Sequence, residues 1–499
     1  MSRIRLYRRE RLPKSILMNY ARQLDLSKPK AICVDLDGTL LKSDFLWEAV
    51  FWLLKNKPLI VLKLPFWFLK GVAYLKEKIA ENVDLDIETL PWNSDVLRLV
   101  LDLQKAGLEA VLVTGSHKIF AEKVANHFKF FNRVFATEGS LNLVGYEKLK
   151  KLKYEFGPLG FSYIGDSKKD IPILESSAHA YVVDSKIVFE KVSQFNNQTT
   201  FLPLRKKGVF KELIKSLRPH QWSKNILIFL GPLAGHILFQ PSVLVSSLIL
   251  FVCFSMVASS VYLVNDLIDL ESDRKHQTKK MRPMASGFVP ISYAVTLSMC
   301  LFLVGIVISW NMIGAKLAFV LMSYFISTLA YSVWIKQIAI ADVIMLAFFY
   351  IVRVVAGCVA VNIVPSFWLI NFILFSFLSL GFAKRVTELI SSAKKLMGLN
   401  KHRAYRLDDL DALLHFGTAS GYLSLLVLSL YLKSPEVVRL YSRPNLLWGL
   451  VLISLYWISE IWISAGRGSL HDDPVIHVLK SKKSYFLIVV AIGFFLFAL

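Results

Sequence analysis

Two groups of acidic residues are spaced for phosphate chemistry. The first is Asp35-Leu36-Asp37-Gly38-Thr39, at the end of the apolar run Ala31–Leu36. A carboxylate at a strand end can attack a phosphoryl group. A second one, two residues on, lies on the same side and can protonate the leaving oxygen. Gly38 allows the sharp turn. Val111–Ser116 is another apolar run, ending in the hydroxyl of Thr114, which suits a phosphate oxygen. In Gly165-Asp166-Ser167-Lys168-Lys169-Asp170 two carboxylates stand four apart and can hold Mg²⁺, which prefers hard oxygen ligands. Lys148 can neutralise phosphate charge, or is one more solvated lysine in a run with Lys150, Lys151 and Lys153.

The second group is Asp266, Asp269 and Asp273, at i, i+3 and i+7. On a helix that spacing is one face. Stacked acids repel one another, and ionisable groups beside a membrane span point to function. Such oxygens suit Mg²⁺ carrying a diphosphate. Arg274, Lys275, Lys279, Lys280 and Arg282 follow and can neutralise phosphate oxygens. The blander reading is a solvated helix cap whose acids are paired with those bases.

The elements that carry these groups differ in kind. Residues 30–200 alternate short β-rich runs (Ala31–Leu36, Ala110–Thr114, Phe161–Gly165, Ala180–Asp184) with helical stretches. That pattern predicts a parallel, Rossmann-like α/β sheet with its ligand site at the carboxyl ends of the strands. Residues 1–29 form a basic N-terminal segment and 201–222 a basic linker; the first 30 residues lack the long apolar core of a signal peptide. Within the head, residues 45–90 occupy the place of a small helical cap. There Phe51, Trp52, Phe66, Trp67, Phe68 and Tyr74 interleave with Lys55, Lys57, Lys63, Lys70, Lys76 and Lys78, broken by Pro58 and Pro65. This reads either as helices with a buried apolar face or as a cap resting in the membrane interface.

Residues 223–499 are apolar enough to lift the 499-residue chain to 55% hydrophobic and a mean hydropathy of +0.49. About nine spans are expected there: 223–239, 242–264, 291–310, 315–334, 338–361, 366–383, 413–432, 445–464 and 484–498. The net charge of +22 crowds the ends of those runs, which excludes nucleic acid in favour of anionic headgroups. With the N terminus inside, one set of loops carries roughly seventeen Lys and Arg and the other about four. A multi-pass protein of the inner or plasma membrane follows, with the head and the acidic loop cytoplasmic. The four cysteines are scattered and read as small buried apolar residues.

Taken in order, the motifs around Asp35, Thr114, Lys148 and Asp166 resemble the haloacid dehalogenase-like (HAD) phosphatases. The resemblance implies Asp35 as nucleophile and Asp37 as acid/base. It implies Thr114 and Lys148 on phosphate, Mg²⁺ on Asp35, Asp166 and the backbone of Asp37, and Asp170 supporting the metal. A decayed scaffold is the alternative for this head. Asn265-Asp266-x-x-Asp269-x-x-x-Asp273-Arg274, continued through Lys279 and Arg282-Pro283 to Gly287, resembles the UbiA superfamily of intramembrane prenyltransferases. That family has nine helices around a central cavity; Gln277 stands where it has Pro.

Downstream, the usual second acidic motif is replaced by Lys336, a single Asp342, Arg353, Lys384-Arg385-x-x-Glu388, Arg403 and Tyr405. With Lys224-Asn225 and Asp472-Asp473-Pro474, this version resembles the decaprenyl-phosphate phosphoribosyltransferase branch. The resemblance implies a transferase using 5-phosphoribosyl 1-diphosphate and a polyprenyl phosphate. Asp266, Asp269 and Asp273 would hold Mg²⁺, Arg274, Lys279 and Arg282 the diphosphate, and Lys224, Lys336, Arg353, Lys384 or Arg385 the further phosphates. Prenyl transfer from a prenyl diphosphate to an aromatic or isoprenoid acceptor is the rival reading. A lipid-binding or transport protein with a regulatory head is a more distant one. Self-association into a homo-oligomer stays open.

Overall fold

The short apolar runs of the N-terminal half form strands because each is small, β-branched and bounded by turn residues. A computed structural model of the chain describes residues 29–203, 208–394, 405–470 and 482–498. The strands are β1 (Ala31–Val34), β2 (Glu109–His117), β3 (Arg133–Thr137), β4 (Phe161–Gly165), β5 (Ala180–Val183) and β6 (Thr199–Leu202). They lie in the order β3-β2-β1-β4-β5-β6, every pair parallel. Parallel sheets are covered on both faces. In β1, Ile32 and Val34 enter one apolar core, Ala31 and Cys33 the other. Central β1 has β2 and β4 as neighbours, with Val34 level with Leu112 and Ile164. Asp35, Thr114 and Asp166 therefore share one end of the sheet.

Two strands were not expected from the sequence. β3 and β6 lack long β-rich runs, and β6 borders the stretch read as a linker from residue 201. That stretch also holds the helix Val209–Ser216.

The cap is four helices, Phe45–Asn56, Pro58–Val61, Leu64–Leu69 and Val72–Asn82. Pro58 and Pro65 each stand at a helix start, where a missing N–H is harmless. The Asp44 carboxylate caps the first helix by accepting from the Leu46 and Trp47 amides.

The chain packs as two compact units. One runs to Arg218 and takes in Tyr262–Ser298; the other comprises Pro219–Val261 and Met299–Leu499. Among the described residues, seven helices are long and apolar enough to cross a membrane: Pro241–Ile268, Ile291–Met312, Ala315–Gln337, Ala341–Ala360, Phe367–Ser391, Leu407–Leu432 and Pro444–Gly466. The first and last of the nine expected spans are not among these seven. Residues 223–239 fall in a 3₁₀ stretch, Pro219–Phe229, and a five-residue helix, Leu230–Ala234, that ends at Gly235. The last helix, Lys482–Ala498, is apolar and has 17 residues, at the lower limit for a span. Gly357 lets the 3₁₀ stretch pack close, since a Cβ there would lie 2.0 Å from the Ile228 carbonyl oxygen. Cys33, Cys253 and Cys358 are buried as expected, whereas Cys300 is exposed.

One ion pair is fully buried in the second unit. Arg385 Nε donates to Asp342 at 2.7 Å, and Nη1 donates to Glu388 at 2.8 Å. Tyr405 donates its hydroxyl to the other Asp342 oxygen at 2.5 Å. Removing one partner of such a pair leaves an uncompensated buried charge. Arg385→Met is expected to destabilise the chain by about 3–5 kcal/mol. The fall should appear in the unfolding midpoint of the detergent-solubilised protein, and Asp342→Asn in the same chain should largely reverse it.

Candidate active sites

In the head, three strand ends bring together what chemistry needs. Asp35, Asp166 and Asp170 each place a carboxylate oxygen within 4.8 Å of the others, a hard-oxygen set that fits a divalent cation. Lys148 Nζ donates to Asp35 Oδ1 at 2.7 Å and lies 3.5 Å from Asp170 Oδ1. Asp35 Oδ1 also accepts from the Leu36 amide. Asp170 is fixed by the Tyr163 and Ser167 hydroxyls, and Asp166 by Thr39. Gly38 is required by its φ of +80° and by crowding: a Cβ there would sit 2.4 Å from Asp166 Oδ2. Lys148 is not a solvated lysine: its side chain is buried on the two carboxylates.

Asp37 points another way. Its carboxylate accepts from Ser116 Oγ at 2.6 Å and from the Phe45 amide at 2.8 Å. Burial lifts the Asp37 carboxyl above its ordinary range, with those two donors pulling it down. A shift in that direction favours the protonated form that a general acid needs. Burial lifts Asp35 too, against the pull of Lys148. For Lys148 burial works against the ammonium, but Asp35 and Asp170 outweigh it and hold its pKa high. Buried Thr114 accepts from the Ser116 amide through its hydroxyl oxygen at 2.9 Å.

Lys76 of the cap was not singled out by sequence. Its Nζ donates to the Gly115 carbonyl at 2.6 Å and to Asn142 Oδ1 at 2.9 Å. Burial lowers its pKa, opposed by nearby Asp37 and Asp44. A cation there can meet the oxygens of an entering phosphate. Lys76→Met is expected to raise KM for a phosphate ester about tenfold and to change kcat less, because the contact is made in the bound state. Asp44 is lifted to about 7, first by burial and then by Asp37.

The acidic group on the membrane side departs from its expected geometry. The helix Pro241–Ile268 ends one residue before Asp269, which starts a new helix, Leu270–Lys275. Asp269 thus divides the acids between two helices, although its amide still donates to the Asn265 carbonyl and the Asp273 amide to the Asp269 carbonyl. Asp266 and Asp273 are buried and converge on Arg282, whose Nη1 lies 3.1 Å from Asp266 Oδ1 and 2.6 Å from Asp273 Oδ2. Arg218 also donates to Asp266. Asp269 is half-exposed, 3.7 Å from Lys55. Burial lifts Asp273, with Arg282 holding it down. Asp266 and Asp273 thus share one guanidinium nitrogen, and carboxylates of this kind are hard oxygen ligands that suit a divalent ion.

Both halves match known families. Residues 227–469 match the UbiA prenyltransferase family, and residues 32–175 match the haloacid dehalogenase-like hydrolases. The uncharacterized protein y4nM of Sinorhizobium fredii is 34% identical over 476 residues, 94% of this chain and 92% of that one. The chain belongs to the UbiA family, with a HAD-like head. It is a multi-pass membrane enzyme, a transferase joined to a hydrolase-like domain. Another relative is the decaprenyl-phosphate phosphoribosyltransferase of Mycolicibacterium smegmatis, 38% identical over 187 residues; the match spans 37% of this chain and 58% of that relative's length. The nodulation protein NoeC of Azorhizobium caulinodans is 29% identical over 284 residues, 55% of this chain and 89% of NoeC.

Several basic residues expected on phosphates are committed elsewhere in this UbiA-family chain. Arg274 donates both terminal nitrogens to buried Glu48, at 3.0 and 2.6 Å, and its Nε to the Ala285 carbonyl. Arg282 bridges the two acids, and Arg385 is held by Asp342 and Glu388. A guanidinium already satisfied by carboxylates meets a phosphate only by breaking or sharing those bonds. Arg353 donates to Asn225, to the Phe349 carbonyl and to the Tyr324 hydroxyl, between the rings of Phe254, Tyr324 and Tyr350. Lys224, Asn265, Lys336 and Lys384 are half-buried, and Lys279 is exposed. In the turn where Gln277 replaces Pro, the His276 ring faces the Thr278 and Lys279 amides. Arg403 and Asp472-Asp473-Pro474 lie outside the described residues.

Proposed function

We propose that the membrane part transfers a phosphoribosyl group from 5-phosphoribosyl 1-diphosphate to a polyprenyl phosphate, and that the head then removes the 5-phosphate from the lipid product. The observation that carries the transferase reading is the convergence of the buried carboxylates of Asp266 and Asp273 on Arg282 Nη1. Mg²⁺ held by Asp266 and Asp273, with Asp269 beside them, would neutralise the diphosphate. Asp266 and Asp273 orient that group, and Lys279 and the loop bases meet its oxygens as the C1–O bond breaks and the acceptor phosphate attacks C1. The phosphoribosyl donor is supported by the similarity to a decaprenyl-phosphate phosphoribosyltransferase. It is supported also by Asp342, which stands tied to Arg385 and Tyr405 rather than within a second acidic cluster.

In the head, Asp35 attacks phosphorus and the P–O bond to the substrate oxygen breaks. Asp37 gives its proton to that oxygen. Water then attacks the aspartyl phosphate, losing a proton to Asp37, and inorganic phosphate leaves. Mg²⁺ on Asp35, Asp166 and Asp170 would screen the phosphate charge. Charge asymmetry between loops supports a cytoplasmic head and acidic loop. Head and transferase joined in one chain also raise the effective concentration of the product.

The test uses purified full-length chain with each donor labelled. Label from phosphoribosyl diphosphate is expected in the lipid fraction. Label entering only from a prenyl diphosphate, onto an aromatic or isoprenoid acceptor, would replace this reading with the prenyltransferase one.

A further inference from the structure

The cap has two apolar faces. Ile60, Val61, Leu64 and Trp67 pack against the head's core. Leu59, Leu62, Phe66, Phe68 and Leu69 point outward and are between 60% and 82% exposed. Large apolar side chains clustered in water mark an interaction surface. Its charge says with what. No acid occurs between Glu48 and Glu77, while Lys55, Lys57, Lys63, Lys70 and Lys76 all fall in that stretch. Lys57, Lys63 and Lys70 are exposed and border the outward cluster. Phe and Leu ringed by lysines with no counter-charge fit the headgroup region of an anionic bilayer. The helices Pro58–Val61 and Leu64–Leu69 have four and six residues, too short to span and suited to lying at the surface. A bilayer is also within reach by construction, because the same chain carries seven helices able to cross one.

The next cap helix, Val72–Asn82, brings Lys76 to the Gly115 carbonyl at the mouth of the phosphatase site. We propose that the outer face of the cap rests in an anionic lipid surface, and that the phosphoryl group removed by the head is carried on a membrane lipid. The second half rests on the phosphatase reading of the head. Water supplies the oxygen, the lipid-side oxygen takes a proton from Asp37, and inorganic phosphate returns to solution.

Docking is tested without reference to activity. A p-benzoylphenylalanine crosslinker replaces Phe66 or Phe68 in the full chain, held in nanodiscs containing phosphatidylglycerol. Tyr154, 86% exposed on the helix Tyr146–Phe156, is the control site. Lipid adducts are expected at 66 and 68, few at 154, and fewer in phosphatidylcholine alone. Yields at 66 no greater than at 154, or adducts to a second copy of the chain instead of lipid, would overturn the docking. For the substrate, Phe66→Ser, Phe68→Ser and Leu69→Ser are combined. This variant should hydrolyse p-nitrophenyl phosphate at the wild-type rate. It should lose about tenfold in kcat/KM for polyprenyl-phosphoryl ribose 5-phosphate embedded in the nanodisc. Wild-type protein that hydrolyses p-nitrophenyl phosphate but not the embedded compound overturns the lipid-borne assignment, and an unchanged kcat/KM in the variant overturns the cap's part in reaching it. Wild-type protein that hydrolyses neither compound refutes the phosphatase reading instead, and the crosslinking result still decides the docking.

Discussion

Asp35→Asn is expected to lower Mg²⁺-dependent phosphatase activity by at least about 10³-fold while phosphoribosyl transfer continues. The change is nearly isosteric, so the Leu36 amide keeps an acceptor beside it and Gly38 keeps its turn. What is lost is the nucleophilic oxygen and one charge of the Asp35, Asp166 and Asp170 set. Lys148 retains Asp170 at 3.5 Å, so its ammonium is not stranded and the fold should survive. Hydrolysis of p-nitrophenyl phosphate with and without Mg²⁺, together with label transfer on the same preparation, separates the two sites. Full phosphatase activity in this variant would show that Asp35 is not the nucleophile. A joint loss of both activities would point to misfolding rather than to chemistry. If the head works on the transferase product, the variant should also accumulate the 5-phosphorylated lipid.

The second large effect is expected at Asp266. Asp266→Asn should reduce transfer by about 10³-fold and leave p-nitrophenyl phosphate hydrolysis unchanged. Asp266 is buried and accepts from Arg218 and Arg282 together, so it supplies the negative charge that balances two cations. Its amide would still accept hydrogen bonds but would not offset diphosphate-bound metal. Asp273 remains on Arg282, which limits the structural damage. Melting of the variant in detergent distinguishes a stability loss from a catalytic one. The Mg²⁺ concentration for half-maximal transfer should rise in a milder companion, Asp269→Asn, because that side chain is half-exposed and 3.7 Å from Lys55. Transfer at the wild-type rate in Asp266→Asn would remove the basis for placing the diphosphate there.

The head was legible because its chemistry sits on strand ends. Asp35, Thr114 and Asp166 each follow an apolar run, and parallel pairing of β1 with β2 and β4 brings them together with no further information. Ser116 and Lys76 were not legible in their roles. One requires the side-chain direction at the end of β2, the other the fold-back of the cap. In the membrane part, hydropathy located the seven long apolar helices found among the described residues; its first segment is broken at Gly235 and its last is a 17-residue helix. Helical spacing placed Asp266, Asp269 and Asp273 on one face, yet the helix stops before Asp269, which local periodicity does not reveal. Charge spacing likewise cannot say which bases are spent on acids. Arg274 looked like a phosphate ligand because its partner, Glu48, lies 226 positions away.

That distant partner matters for anyone dividing the chain. Severing it near residue 205 to express the C-terminal portion alone would remove the Arg274 counter-ion and uncover a surface that the cap helix now buries. The excised portion would carry an inborn defect unrelated to its catalytic competence. A melting measurement on the excised portion is therefore the natural accompaniment to such a cut.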